Sequence, residues 1–324
     1  MRPDNNKSFS LCFLGCGHIT GAHAKLIKTL DADVTLSFAS RSSQKATEYV
    51  GKYGGQRSYG SYQEAISSDA EDVIMINTPP DSHFELTRAA LEAGKHVIVE
   101  KPPFLRSEDF NVVGKLADQK GLQLLVAENY YYKPLRYRLE ALLREQVIGE
   151  PLFMQINSSK LQASKNDWRD NKSIVGYGAL YEGGIHWLSI INNLGFEVER
   201  YFGHNPRPSA DLERSMQLTA RTKEGLVINL LYSWEVDTIF KGLRKSKIYG
   251  TKGSITFETN GVFIIVRGRR TKFYGPSISD IQGSKGMFRD FFKSIRTNSE
   301  AQYTWQKAQK DLYAIEQTYL SSAR

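Results

Sequence analysis

Short apolar segments alternate with helix-like segments through the first 127 residues of the chain. Strand-like runs lie at 10–15, 34–40, 72–80, 96–100 and 122–128, and helical patterns at 23–30, 44–52, 62–67, 82–93 and 109–120 separate them. Parallel strands need crossover connections long enough to hold a helix, so this spacing predicts βαβ units. The runs are continuously apolar, which indicates a sheet covered on both faces. We therefore expect residues 1–127 to form an α/β domain of the Rossmann type, with a doubly wound parallel sheet.

From about residue 128 the pattern changes, because strand-like segments follow one another with only turns between them. They lie at 152–160, 215–222, 226–235, 245–250, 253–258 and 262–267, with helical patterns at 134–146, 186–194 and 305–321. Turns such as Asn260-Gly261 favour hairpins. We expect residues 128–324 to form an α+β domain with an open, mostly antiparallel sheet. An open sheet face has to be covered, so this face is also the expected oligomer surface.

The net charge is +8, from 43 Lys and Arg against 35 Asp and Glu. Much of the excess lies between 241 and 272, where Glu258 is the only acid and the bases are Lys241, Arg244, Lys245, Lys247, Lys252, Arg267, Arg269, Arg270 and Lys272. A solvated sheet face explains this segment, and a site for an anionic partner is the alternative. There is no aromatic-interleaved basic helix and no zinc-finger spacing, so we expect no nucleic-acid partner.

The number of cysteines and the hydropathy of the chain indicate its cellular compartment. Cys12 and Cys16 have no partner cluster for a metal site and cannot form a disulfide framework, which fits a reducing compartment. No segment reaches the ~18 apolar residues of a membrane span. We expect a cytoplasmic protein with no membrane partner and no bound metal.

The first strand-to-helix turn reads GCGHIT and covers residues 15–20. Gly15 allows a tight turn, and Gly17 lets the backbone approach a pyrophosphate, which the following helix N-terminus at His18 and Ile19 attracts with free N–H groups. Thr20 stands at the third position, where glycine or alanine packs closest to the strand. Within an alternating strand and helix pattern this loop predicts dinucleotide binding by residues 1–127.

The second strand ends in Ser40-Arg41-Ser42, where an NAD site usually has an acid for the ribose hydroxyls. A serine hydroxyl and a guanidinium suit a 2′-phosphate, which arginine can bind with two parallel hydrogen bonds. We expect NADP(H) as the cofactor. The alternative is that Arg41 is an ordinary exposed arginine and that the cofactor is NAD.

Several longer segments resemble the glucose–fructose oxidoreductase/inositol dehydrogenase/MocA (Gfo/Idh/MocA) family. They are GCGHIT with His23 close behind, NTPPDSHFELTRAALEAGKHVIVEKPP (77–103), VIGEP (147–151), WRD (168–170), GALYEGGIHWL (178–188) and IYGTKGSITFE (248–258). They run from residue 10 to about 260 in the order and spacing of the family. The resemblance implies a second domain that binds substrate and takes part in a homodimer or homotetramer.

The resemblance implies that Lys101, in the Glu-Lys-Pro turn, lies at the nicotinamide. An ammonium there can bind and polarise a reacting carbonyl or hydroxyl and relay a proton. Pro102 and Pro103 would fix the turn, and a cis bond before Pro102 is compatible with it. His186 is the implied general acid or base, with Glu182 in support. Glu182 departs from the family, in which many members carry Asp.

The resemblance implies further site residues. Thr78, Pro79, His83, Glu100 and Asn129 are expected to border the cofactor, although His83 can equally cap its helix. Trp168 and Arg169 resemble an element that binds substrate together with Lys101, Glu182 and His186. Tyr130, Tyr131 and Tyr132 are interpreted as packing residues, with the alternative that one of them lines the pocket.

These observations predict an NAD(P)-dependent oxidoreductase that transfers a hydride between nicotinamide and a carbon of a sugar, a cyclitol or a related carbonyl or alcohol. The alternatives are an enzyme of the same family for a dihydrodiol, an imine or a tetrapyrrole, and a dinucleotide-binding regulator without turnover.

Overall fold

A computed structural model describes residues 8–30, 33–163, 168, 171–237 and 243–322. The chain divides into two compact units, Met1–Glu128 with Lys285–Gln309, and Asn129–Ser284 with Lys310–Arg324. The domain bounds expected from the sequence, 1–127 and 128–324, stay a prediction. The compact units differ from them in that residues 285–309 group with the N-terminal part.

In the first unit, strands and helices alternate as the sequence predicts. The elements are β1 (Phe9–Leu14), α1 (His18–Ile27), β2 (Val34–Ala39), α2 (Ser43–Tyr53), β3 (Arg57–Tyr59), α3 (Tyr62–Ser67), β4 (Val73–Ile76), α4 (His83–Glu92), β5 (His96–Val99), α5 (Asp109–Lys120) and β6 (Leu124–Val126).

The strands of this unit form a parallel sheet in the order β3-β2-β1-β4-β5-β6, within the part of the chain that is described. Strand β1 pairs with β2 on one side and with β4 on the other, so the direction of winding reverses between β1 and β4. Open α/β sheets bind ligands outside the carboxyl ends of their strands at such a reversal. The predicted Rossmann fold is confirmed.

Helix α1 and strand β3 differ most from the sequence-based expectation, while strands β4 and β6 are shorter than expected. Helix α1 begins at His18, not at residue 23, because its first turn carries the polar and small residues that hid the helical pattern. Strand β3 was not expected, and at three residues it is too short to show a period of two.

The second unit contains a larger sheet, which follows a short helical turn at Asn129–Tyr132. The elements from there are α6 (Pro134–Arg144), β7 (Pro151–Ser159), α7 (Lys172–Val175), α8 (Ile185–Asn192), β8 (Val198–His204), β9 (Ser215–Thr222), β10 (Val227–Ser233), β11 (Lys245–Gly250), β12 (Gly253–Glu258), β13 (Ile264–Arg267), β14 (Thr271–Tyr274), α9 (Ser284–Thr297) and α10 (Trp305–Ser322). Of the last two helices, residues 285–297 of α9 and 305–309 of α10 belong to the first unit.

The strand order of this sheet is β14-β13-β12-β11-β7-β10-β9-β8 among the described residues. All neighbours are antiparallel except β7 and β10, which are parallel. The predicted open, mostly antiparallel sheet is therefore confirmed. Strands β8 and β14 and helix α9 were not expected from the sequence.

The two faces of the larger sheet differ in character. Met154 and Ile156 of β7 are buried, whereas Phe153 and Gln155 alternate with them on the other face and are exposed. Of the basic segment, Arg267 and Lys272 lie exposed on β13 and β14, and Lys241 lies outside the described residues. Lys272 pairs with Val266, the neighbour of Arg267, so these two bases lie on opposite faces of the sheet, and the interpretation of the basic segment as a solvated face stays a prediction. In the described residues no helix is long and apolar enough to span a membrane.

Helix α9 shows why residues 285–309 group with the first unit. Its buried side chains include Phe288 and Phe292, which lie on one face four residues apart. Phe292 stacks on Phe9 of β1 with ring centroids 5.6 Å apart, and Phe288 meets the ring of His23 edge-on at 5.3 Å. The helix therefore completes the core beside the first strand.

Candidate active site

The loop after β1 approaches the backbone after β4 closely. Gly15 has φ +102°, a value that L-residues rarely adopt, and a Cβ there would come 2.9 Å from the carbonyl oxygen of Asn77. Glycine is therefore required at position 15 both for the turn and for the close approach of the two strand ends.

Gly17 meets a different requirement. Its φ of −109° is open to any residue, and no atom lies within 4 Å of a Cβ built on it. It precedes α1, a helix of ten residues whose first N–H groups have no partner inside the helix. The open space over a helix N-terminus fits a pyrophosphate. His18 and Ile19 are exposed in the first turn, where the loop prediction places them.

Thr20 closes this loop with hydrogen bonds instead of the close packing that a glycine would give. Its Oγ1 donates to the Gly15 carbonyl oxygen at 2.6 Å and accepts from Asn77 Nδ2 at 3.0 Å. Asn77 Oδ1 is buried and has no hydrogen-bond partner among the described residues. The side chain of Thr20 thus fixes the turn, and Asn77 presents an acceptor at the point where β1 and β4 separate.

Ser40 and Arg41 lie at the end of β2, on the same sheet edge as the loop. Ser40 Oγ accepts from the backbone N–H of Ser42 at 3.3 Å, while Arg41 is exposed. Burial raises the pKa of the Tyr62 phenol, and the charge of Arg41 and a hydrogen bond to it oppose that rise. The guanidinium therefore lies beside Tyr62 at the strand end that faces a dinucleotide ribose in this fold.

Strand β5 ends on an acid because Glu100 has a partner inside the fold. Its Oε1 lies 2.5 Å from His23 Nε2 of α1, and its Oε2 accepts from the Lys101 backbone N–H at 3.1 Å. Burial raises the pKa of Glu100, but hydrogen bonding and charge from His23, with the charges of Lys101 and His83, outweigh it and hold the pKa below its usual value. The carboxylate ties the turn to α1.

The Lys101–Pro102 peptide bond is cis, as the sequence analysis allowed. Lys101 is half-buried, and Pro102, Pro103 and Phe104 after it are buried. The ammonium-bearing side chain therefore leaves a turn whose following backbone lies inside the first unit.

His83 holds this turn to the loop after β4. Its Nδ1 lies 2.9–3.0 Å from the carbonyl oxygens of Pro102 and Pro103, and its Nε2 lies 2.8 Å from that of Thr78. Burial lowers the pKa of His83, and the three carbonyl contacts oppose the shift without cancelling it. The ring is 1% exposed, so these contacts give His83 a role in joining two loops. Direct contact with a cofactor stays a prediction for His83 and for Glu100.

Thr78 and Pro79 lie in the same loop. Thr78 Oγ1 accepts from the Ser82 hydroxyl at 2.7 Å, and Pro79 is half-buried. The first unit thus brings the loop at 15–17, the end of β2, the 78–79 loop and the 100–101 turn to the carboxyl edge of one parallel sheet.

In the second unit, Glu182 and His186 share one side of a helical segment. Leu180–Gly184 forms one wide turn with i to i+5 hydrogen bonding, and α8 continues from Ile185. Glu182 and His186 are half-buried, whereas the three residues between them are buried. Such wide turns are frequent at functional sites.

The glycine after Glu182 makes room for an aromatic side chain. A Cβ on Gly183 would overlap the Tyr232 hydroxyl of β10. Tyr232 also accepts from Trp234 Nε1 at 3.2 Å. Burial and then the charge of Glu182 raise the pKa of Tyr232, so its hydroxyl keeps its proton beside the carboxylate. No motif or spacing pointed to Tyr232, because its place in a strand pattern is that of an ordinary packing residue.

The start of the Glu182–His186 segment is held by a buried carboxylate. Glu213 Oε2 accepts from the Leu180 backbone N–H at 3.0 Å and from the Tyr319 hydroxyl at 2.6 Å, and Tyr319 accepts from the Gly178 N–H at 3.0 Å. Burial raises the pKa of Glu213. This network fixes the backbone that carries Glu182.

The structure describes all but one of the remaining predicted residues. Asn129 Nδ2 donates to the Gln282 carbonyl oxygen at 2.7 Å. Trp168 is half-buried, and Arg169 lies outside the described residues. Tyr130 packs on His186, and the alternative that one of the three tyrosines lines the pocket stays a prediction. Across the described part of the chain, no cluster of His, Cys, Asp and Glu could hold a metal ion.

Comparison with known families and proteins gives matches to both parts of the chain. Residues 9–128 match a model described as "Oxidoreductase family, NAD-binding Rossmann fold", and residues 137–256 match a GFO/IDH/MocA C-terminal domain. A D-xylose 1-dehydrogenase (NADP(+)) of Haloferax volcanii is 27% identical over 239 residues, which cover 69% of this chain and 73% of that protein.

Levoglucosan dehydrogenase of Pseudarthrobacter phenanthrenivorans is 30% identical over 160 residues, 48% of this chain and 41% of that protein. A solved levoglucosan dehydrogenase in complex with NADH and levoglucosan has the same fold, with a TM-score of 0.87 and 21% identity over 98% of this chain and 97% of that one. These matches and the geometry of the two units agree, and the chain belongs to the Gfo/Idh/MocA family of NAD(P)-dependent oxidoreductases.

Proposed function

We propose that this oxidoreductase acts on a sugar, a cyclitol or a related polyhydroxylated carbonyl or alcohol, with Lys101, His186 and Glu182 as its reacting groups. The observation that carries the proposal is the position of Lys101, which follows β5 at the same sheet edge as the Gly15–Gly17 loop. The names of the relatives support the substrate class, since they include xylose and levoglucosan dehydrogenases.

The roles follow from the chemistry of each side chain. Nicotinamide, when bound, supplies or accepts the hydride at a carbon of the substrate. The Lys101 ammonium polarises the oxygen on that carbon and stabilises negative charge on it. His186 exchanges the proton of the substrate hydroxyl. Glu182 accepts a hydrogen bond from a substrate hydroxyl or orients His186. Glu100 keeps the turn of Lys101 in place through its hydrogen bond with His23.

Turnover on a panel of substrates tests this function. Purified protein is incubated with NAD⁺ or NADP⁺ and D-xylose, levoglucosan, glucose 6-phosphate or a cyclitol. Reduction of the cofactor is followed by its nicotinamide absorbance. We expect reduction with at least one member of the panel. Turnover of a dihydrodiol assayed in parallel, with no turnover of the panel, would contradict the substrate class. Cofactor binding without turnover of any of these compounds would favour a regulator.

We further propose NADP(H) as the preferred cofactor. Ser40 and the exposed Arg41 stand where an acid would select NAD, and they offer a hydroxyl and a guanidinium to a 2′-phosphate. Titration with NADPH and NADH, followed by energy transfer from tryptophan, measures the preference. We expect NADPH to bind at least ~10-fold more tightly, or ~1.4 kcal/mol. Arg41→Ala should remove the difference, whereas Arg88→Ala, which pairs with Glu85 on α4, should not.

We also propose that the uncovered face of the larger sheet is the surface of a homodimer or homotetramer. Phe153 and Phe202 are about half-exposed on this face, and a second chain covering it would remove both apolar side chains from water. Light scattering should give a mass of two or four chains, and Phe153→Lys should shift it toward one.

A further inference from the structure

The imidazole of His186 lies flat against a tyrosine ring. The centroids of the Tyr130 and His186 rings are 4.2 Å apart, with an angle of 11° between the planes. Trp187 meets the same tyrosine edge-on at 5.8 Å and 85°. Tyr130 comes from the helical turn at Asn129–Tyr132, and His186 from α8, so the stack joins two elements that are distant in sequence.

A buried lysine covers the tyrosine as well. Lys133 Nζ lies 3.7 Å from the centroid of the Tyr130 ring, and Lys133 is 0% exposed. An ammonium and an imidazole this close to one centroid have room only on opposite faces of the ring. Tyr130 is therefore held between Lys133 and His186. Because both faces are occupied, the ring is not a platform on which the apolar face of a sugar can stack.

The backbone around this stack is closely packed. A Cβ on Gly283 would come 2.7 Å from the Lys133 backbone nitrogen, and Gly283 has φ +79°. Lys133 Nζ also lies 3.5 Å from the Asn260 carbonyl oxygen. The turn that carries Tyr130 therefore has little freedom to move, and the stacked imidazole packs against a ring that is held in place.

A proton-transfer group works only if its nitrogen points at the reacting hydroxyl within hydrogen-bond reach. Stacking on Tyr130 holds the plane of the imidazole in one orientation, so its nitrogens meet the substrate at the ring edge. We propose that Tyr130 is a positioning residue for His186, with Lys133 holding the tyrosine from its other face. The inference rests on the proposed function, in which His186 exchanges the substrate proton.

Two variants of Tyr130 separate stacking from hydrogen bonding by the hydroxyl. Tyr130→Phe keeps the stack and the cation–π contact, so we expect kcat within about threefold of the unmodified protein. Tyr130→Leu removes both, and we expect kcat to fall by about 10- to 100-fold, because small misplacement of a catalytic group has effects of this size. The KM for the cofactor should not change. Tyr131→Leu is the matched control, since Tyr131 packs on Tyr132 and Arg136; it should lower the thermal midpoint and not kcat.

A double-mutant cycle with His186→Asn tests the route of the effect. We expect Tyr130→Leu to cause no further loss of kcat in the His186→Asn background. An equal loss in both backgrounds would overturn the inference, and so would a Tyr130→Phe variant as slow as Tyr130→Leu. If His186→Asn leaves kcat unchanged while Tyr130→Leu lowers it, both the inference and the proposed role of His186 fail.

Proton NMR gives a readout that needs no substrate. The ring current of Tyr130 should shift the His186 ring protons upfield, and His186→Asn assigns those signals. Tyr130→Phe should keep the shift and Tyr130→Leu should abolish it. A shift that survives Tyr130→Leu would show that the stack does not exist in solution, whatever the enzyme turns over.

Discussion

Replacing each of two glycines of the first loop by alanine should have opposite consequences. In Gly15→Ala the residue has to adopt φ +102°, and its new Cβ lies 2.9 Å from the carbonyl oxygen of Asn77. The backbone conformation alone costs a residue with a Cβ about 1–3 kcal/mol, and the contact with Asn77 requires a shift of main chain. We expect a loss of ~2–3 kcal/mol in the free energy of unfolding, which lowers the thermal midpoint by roughly 5–10 °C.

Gly17→Ala is the matched variant two residues along. Its φ of −109° suits alanine, and nothing lies within 4 Å of the new Cβ. The free energy of unfolding without cofactor should change by less than ~1 kcal/mol. The methyl group enters the space over the N-terminus of α1, so we expect NADH and NADPH to bind at least ~10-fold more weakly, a loss of ~1.4 kcal/mol.

Circular dichroism melts of the cofactor-free proteins measure the first effect, and tryptophan-to-nicotinamide energy transfer measures the second. The reasoning is refuted if Gly17→Ala binds the cofactors as tightly as the unmodified protein, since a pyrophosphate would then not approach the backbone at this position. It is also refuted if the two variants unfold at the same temperature.

Two further substitutions and one labelling experiment have expected outcomes. The pKa of Glu100 is lower in the folded state than in the unfolded state, so ionised Glu100 stabilises the fold at neutral pH. This stabilisation is lost as the pH falls below about 4. Glu100→Gln should therefore weaken the fall in the free energy of unfolding over that acid range. Burial raises the pKa of Cys16 to about 11, so iodoacetamide at neutral pH should label it slowly until the protein unfolds, as mass spectrometry can show. Tyr319→Phe removes a hydrogen bond to buried Glu213 and should cost ~1–3 kcal/mol in a urea melt; an unchanged midpoint would contradict the network.

Local signals were sufficient where the chain itself determines an element. Helices α3 and α5 have the predicted bounds, because Ser61 caps the first and Gly121, at φ +64°, ends the second. Strand β3 could not be found in this way, since three edge residues carry no periodicity. Helix α9 has a clear apolar face, but the glycine- and serine-rich stretch before it obscured its start.

The candidate site also has residues that the sequence identifies and contacts that it does not. The resemblance to the family pointed to Lys101, Glu182 and His186, whose roles stay predictions. The sequence could not show that Glu100 pairs with His23, or that Tyr130 stacks on His186, because those contacts depend on tertiary packing between distant segments. A buried lysine such as Lys133 gives no signal at all, since lysine is almost always exposed.

The turnover of Lys101→Ala tests the central claim most directly. The change removes the ammonium from the turn after β5, while the Gly15–Gly17 loop and the Glu100–His23 hydrogen bond do not involve that side chain. We expect cofactor affinity within about threefold of the unmodified protein and a loss of kcat of at least ~10²-fold, the smaller end of what an acid–base or electrostatic group contributes. Unchanged kcat with intact cofactor binding would show that Lys101 does not take part in the reaction, and the proposed active site would have to be abandoned.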